Sequence, residues 1–66
     1  MTQQEARDLL IENLPEDVCI GKVCRVYDHD DDVAIWSCDL FDTHTGQPCG
    51  SAWFAEHYGE IEVDWA

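Results

Sequence analysis

Apolar positions along this chain recur first at a helical period and later at the alternating period of a strand. Ala6, Leu10 and Leu14 fall at i, i+4 and i+8 with Leu9 beside them, one stripe of an amphipathic helix. Thr2 and Glu5 stand three apart ahead of that stripe, the spacing of a capping box, and Pro15 ends the run. From Val18 to Tyr27 the residues are rich in β-branched, aromatic and cysteine side chains, which predicts a strand with Gly21 as a bulge. Asp28 to Asp32 makes a turn, and a second strand runs from Val33 to Asp42 through Ile35, Trp36, Cys38, Leu40 and Phe41. Thr43-His44-Thr45-Gly46-Gln47 has the composition of a hairpin loop. The segment after it reads two ways. Pro48 to Ala55 suits a third strand, while Ser51 would equally cap a short helix through Ala52, Trp53, Phe54, Ala55 and Glu56 ending before Gly59. The strand is preferred because it sets Gly50 in a hairpin opposite large side chains. Ile61, Val63 and Trp65 then alternate with Glu60, Glu62 and Asp64, so the final strand has one apolar and one acidic face.

These elements predict a single α+β domain over residues 1–66, an N-terminal helix packed on a small antiparallel sheet of three to four strands. A chain this short buries only about 60% of its unfolded surface, which leaves little room for a deep pocket. Apolar residues nevertheless make up 45% of it, and Tyr27, Trp36, Phe41, Trp53, Phe54, Tyr58 and Trp65 are aromatic, too rich a set for a disordered acidic tail. No apolar run approaches the roughly 20 residues of a membrane span, and Met1 to Glu5 lacks the basic start of a signal peptide. A cytoplasmic location is the expectation.

Charge changes the picture most. Fifteen Asp and Glu against three Lys and Arg give −12, with Lys22 the only lysine. No fold requires that imbalance, since like charges repel in the compact state. It points to a partner outside the fold, a basic surface built to hold nucleic-acid phosphates. Direct nucleic-acid binding is disfavoured by the same charge, and self-association is opposed, so a monomer is expected. A solvated surface in a salt-adapted cell is the plainer explanation, but four cysteines and three tryptophans do not favour it.

The acidic groups have a predicted geometry. Glu5, Asp8 and Glu12 line the polar side of the helix over about 10 Å of axis. Glu60, Glu62 and Asp64 repeat about every 6.6 Å along one strand face. Asp28, Asp30, Asp31 and Asp32 crowd one turn. These are the candidate contact residues for a basic partner. Read as a calcium loop, Asp28, Asp30, Asp32 and Asp39 take the first, third, fifth and twelfth positions, but Val33 stands where glycine is needed. Cys19, Cys24, Cys38 and Cys49 with His29, His44 and His57 are numerous enough for zinc, and a small zinc-stabilised interaction module is the alternative of a different class. No C-x-x-C knuckle occurs among them, and the preferred reading is that the thiols are small buried hydrophobes in strands. No pattern sets a base beside a nucleophile, so an enzyme is not expected, and neither a cofactor nor a metal is assigned.

The helix face, the Asp28 to Asp32 turn and the Glu60-Glu62-Asp64 strand on a very small acidic α+β chain resemble phage-encoded DNA mimics. Among these the chain looks like an anti-CRISPR protein. The resemblance implies an inhibitor in the host bacterial cell that blocks target-DNA binding by a CRISPR surveillance complex, type I in particular. Leu14-Pro15-Glu16-Asp17-Val18 followed by Ile20-Gly21 is similar to a stretch of the phage uracil-DNA glycosylase inhibitor, another small acidic mimic. This implies the same class with a glycosylase or another DNA enzyme as target.

Overall fold

The computed structural model describes residues 1–57 and 60–66. Helix α1 spans Gln3–Asn13 and begins as the capping box requires: the Glu5 amide donates to Thr2 Oγ1 at 3.2 Å, and the Thr2 amide donates to Glu5 Oε1 at 3.0 Å. Two exposed helix amides are thereby satisfied. Leu14 closes the helix in extended conformation just before Pro15, as the residue preceding a proline prefers. Ala6 and Leu10 are fully buried, with Leu9 and Leu14 packed partly against the same core.

Strands β1 (Val18–Ile20), β2 (Cys24–Asp28), β3 (Val33–Asp42), β4 (Pro48–Ala55) and β5 (Ile61–Trp65) form one antiparallel sheet. The five segments occupy four rows, because β1 and β2 share one edge of β3. The strand expected from Val18 to Tyr27 is therefore interrupted. Ile20 pairs with Leu40 but Cys24 pairs with Ser37, so three residues, Gly21, Lys22 and Val23, face only two on β3. This is a bulge at the expected glycine, and it turns Val23 into the core at 3% exposure. Gln3 Nε2 donates to the Val23 carbonyl at 2.8 Å and ties the helix start to the break.

Residues 48–55 are strand, which overturns the capped-helix alternative; its predicted end, Gly59, lies outside the described residues, as does Tyr58. The β3–β4 ladder explains the choice. It places Trp36 against Phe54, Cys38 against Ala52 and Leu40 against Gly50, all on the face that α1 covers. A helix at 52–56 would remove both Ala52 and Phe54 from that ladder. Cys49 is an extra residue in β4, since Leu40 pairs with Gly50 while Phe41 pairs with Pro48. Among the described residues the other sheet face carries no helix, and α1 packs on one side of the sheet.

One end of the core is closed electrostatically. Arg25 lies over the Trp36 ring at 5.9 Å and reaches Glu56 at 3.8 Å, while the terminal amine of Met1 meets Glu56 at 3.1 Å. These contacts hold the Glu56 carboxyl below the usual range, the amine's hydrogen bond first and Arg25 last. No helix is long and apolar enough to cross a membrane among the described residues.

Candidate functional site

The ladder pairings sort the carboxylates by face. Along β3, Trp36, Cys38 and Leu40 point toward α1, so Ile35, Ser37 and Asp39 point to the bare face. Carried across the sheet, this gives three outward rows: Val26, Ile35 and Ala55; Ser37, Trp53 and Glu62; Asp39, Ser51 and Asp64. Val26 is 58% exposed, and Ile35, Trp53 and Ala55 are half-buried. The centre of the bare face is thus apolar and its far side acidic. Trp53 Nε1 donates to Glu62 Oε2 at 3.1 Å and fixes that carboxylate beside the indole.

The predicted contact residues divide over two faces and one end. Glu62 and Asp64 are exposed on the bare face, with exposed Glu60 just ahead of β5, whereas Glu5, Asp8 and Glu12 are exposed on the helix that covers the opposite one. One flat partner cannot touch both groups together. The Asp28–Asp32 turn joins β2 to β3 at the end of the sheet where Ala55 and Ile61 also lie, so it shares an end with Glu60. Turn and β5 therefore bound the same face.

Some of these carboxylates have work inside the fold. Glu5 caps the helix, and the Thr2 amide it accepts lowers its pKa. Asp8 accepts from Gln4 Nε2 at 2.8 Å. Asp28 accepts the Asp30 amide at 3.0 Å and the Asp31 amide at 3.5 Å, which builds the turn. Asp32 sits in left-handed conformation at φ 54° and takes the hydroxyl of Tyr27, whose ring meets His29 edge-on at 4.9 Å. Glu12, Asp30, Asp31, Glu60 and Asp64 make no side-chain hydrogen bond among the described residues and stand free at the surface.

Charge pairing is sparse. Among the described residues both ion pairs fall on Glu56, which leaves fourteen of the fifteen carboxylates with no cation within 4.0 Å. Asp39 and Trp53 belong to the acidic face although the sequence reading assigned neither to it. For Asp39 the alternation of β3 was the available signal, since it stands between inward Cys38 and inward Leu40. Trp53 lies outward, because its neighbours Ala52 and Phe54 take the inward positions.

No three His, Cys, Asp or Glu side chains converge as a metal cage among the described residues. Cys38 is buried under α1, Cys24 faces the bare side of β2, Cys19 is the exposed residue of β1 and Cys49 lies at the β4 bulge. The expectation that the thiols are buried hydrophobes thus holds for Cys38 alone; Cys19 and Cys24 are exposed and Cys49 half-buried. Burial pushes the Cys38 thiol up, and burial reinforced by Asp42 does the same for Cys49. The calcium pattern fails as geometry too: Asp39 projects from mid-strand on the bare face, away from the Asp28–Asp32 turn.

No family model matches the chain, and no curated protein and no solved structure matches it at a significant level.

Proposed function

We propose that this protein is a DNA-mimic inhibitor whose carboxylates occupy the Lys and Arg side chains of a DNA-accepting protein surface. The supporting observation is the fourteen carboxylates without an internal cation. Self-repulsion of that size destabilises the compact state, and a basic partner relieves it. The molecule is 37 Å long, so a net −12 amounts to about one charge per 3 Å, against about one per 1.7 Å of duplex DNA. That is roughly half the charge density of the ligand it would replace. Asp39, Glu62 and Asp64 on the bare face form the contact set with Glu60, Asp30 and Asp31 at its end, and half-buried Trp53 gives it an apolar anchor. Glu5, Asp8 and Glu12 face the other way and engage only a partner that surrounds the protein. The expected target is a CRISPR surveillance complex of type I, met by a monomer in the bacterial cytoplasm without direct contact to nucleic acid.

The test is plaque formation by CRISPR-targeted phage on strains of different CRISPR types, with wild-type protein, with the D30K/D31K double variant and with Glu62→Lys. Rescue confined to one type, and lost on charge reversal, supports the reading. Rescue that survives reversal on both patches, and in a further Glu12→Lys variant on the helix, refutes mimicry. Absence of rescue in every strain removes the CRISPR target, and capture of a DNA-processing enzyme such as a glycosylase then becomes the supporting result.

A further inference from the structure

The outermost strand β5 has one side bonded to β4 and the other open. The Ala66 amide donates to the Cys49 carbonyl at 3.0 Å, which places Ala66, and by alternation Asp64 and Glu62, among the residues whose main chain faces β4. The amides and carbonyls of Ile61, Val63 and Trp65 then point away from the sheet. No strand pairs with them among the described residues. Each carries an apolar side chain on the α1 side, half-buried for Ile61 and Val63 and 53% exposed for Trp65. Glu62 and Asp64 carry carboxylates on the other side, with Glu60 just ahead of the strand. A strand added here would meet an apolar row on one face and an anionic row on the other.

A second copy does not suit this edge. Antiparallel pairing of two β5 strands about Val63 sets Glu62 opposite Asp64 of the other copy, and directly opposed like charges destabilise a ladder. The complementary occupant carries the opposite sign. We propose that the open edge of β5 takes up, by antiparallel strand addition, an extended segment of a partner protein that alternates basic and apolar side chains. Its apolar residues lie beside Ile61, Val63 and Trp65 and exchange main-chain hydrogen bonds with them. Its Lys or Arg residues lie beside Glu60, Glu62 and Asp64 with their own amides facing away from β5. This docking is separate from DNA mimicry, because it requires paired backbones and an alternating sequence rather than charge alone.

The probe is a short end-capped peptide of alternating lysine and valine, titrated into the full-length protein and followed by amide NMR shifts and hydrogen exchange. Binding with new protection of the Ile61, Val63 and Trp65 amides is expected. A peptide N-methylated on its valines keeps charge and apolarity but loses the donors that face β5, so its affinity falls at least tenfold. N-methylation on the lysines, whose amides face outward, leaves binding within a few-fold. Trp65→Ala, at a half-exposed position outside the core, weakens binding about tenfold in a protein that still folds. Equal affinity for the two methylated peptides, binding without protection at Val63, or no binding to the folded protein each overturns the proposal. Failure of the plaque assay leaves it standing, and failure of the peptide leaves the mimicry reading standing.

Discussion

Gly50→Ala is expected to detach the end of β5 and cost more than any other glycine replacement in a hairpin. Gly50 sits between Leu40 and Trp65 in the ladder with φ at +152°, a region that L side chains rarely adopt. That conformation alone costs a non-glycine residue roughly 1–3 kcal/mol. A Cβ built there lies 2.3 Å from the Asp64 carbonyl oxygen and 3.1 Å from the Trp65 Cα. Both obstacles are backbone, so relief requires β5 to move, and overlaps of this kind add about 1–3 kcal/mol. A total of about 2–6 kcal/mol is a large share of the roughly 3–10 kcal/mol expected for a domain of this length. The melting temperature should drop by at least about 10 °C. Gly46→Ala is the control: its φ is +73°, but nothing lies within 4 Å of an added Cβ, so only the left-handed penalty of about 1–2 kcal/mol applies. Urea melts followed by tryptophan fluorescence measure both variants, and hydrogen exchange at Glu62 and Asp64 reports whether β5 has opened. If Gly50→Ala costs no more than Gly46→Ala, the close approach of β4 to β5 is refuted.

Added salt should raise the melting temperature, because the unpaired carboxylates repel over distances that shrink from about 30 Å at 0.01 M to about 3 Å at 1 M ionic strength; a melting temperature flat in sodium chloride would contradict this, while affinity for a basic partner should fall over the same range. Thr2→Ala should cost about 1 kcal/mol through loss of the cap, read from urea melts. Glu5 titrates below its ordinary 4.5 in the folded state, so its contribution is complete above that value and is lost as pH falls through the lower native one. The stability gap between wild type and Glu5→Gln should therefore close on acidification, and a gap constant down to pH 3 argues against the capping box. Folded protein treated with excess thiol reagent near pH 8 should modify exposed Cys19 and Cys24 first and Cys38 last, since burial raises the Cys38 thiol and limits access to it; a single rate for all four thiols would refute that placement.

Where the chain's own local pattern carried enough information, reading it alone was sufficient. The helix was legible because its cap, stripe and stop signal all lie within fourteen residues. The acidic and apolar sides of β5 were legible because strand alternation needs no partner. The interruption at Gly21–Val23 was only half legible. Glycine marked the position, but the mismatch of three residues against two exists only between strands. The candidate site fared similarly: Asp30, Asp31, Glu62 and Asp64 were recognisable as a surplus of charge, whereas Asp39 and Trp53 join them only through the rows that run across the sheet.

Composition and alternation by themselves determined the net charge, the fold class and which residues of each strand share a side. Which of those sides met α1 was decided by the tertiary structure. In a two-layer fold, α1 covers a single sheet face, and packing of Ala6 and Leu10 against Trp36, Leu40 and Phe54 selected it. That choice left Trp53 with the β5 carboxylates on the bare face and put the helix carboxylates on the opposite side. Alternation is a local property of the backbone, but the direction called outward exists only after a second layer has covered one side.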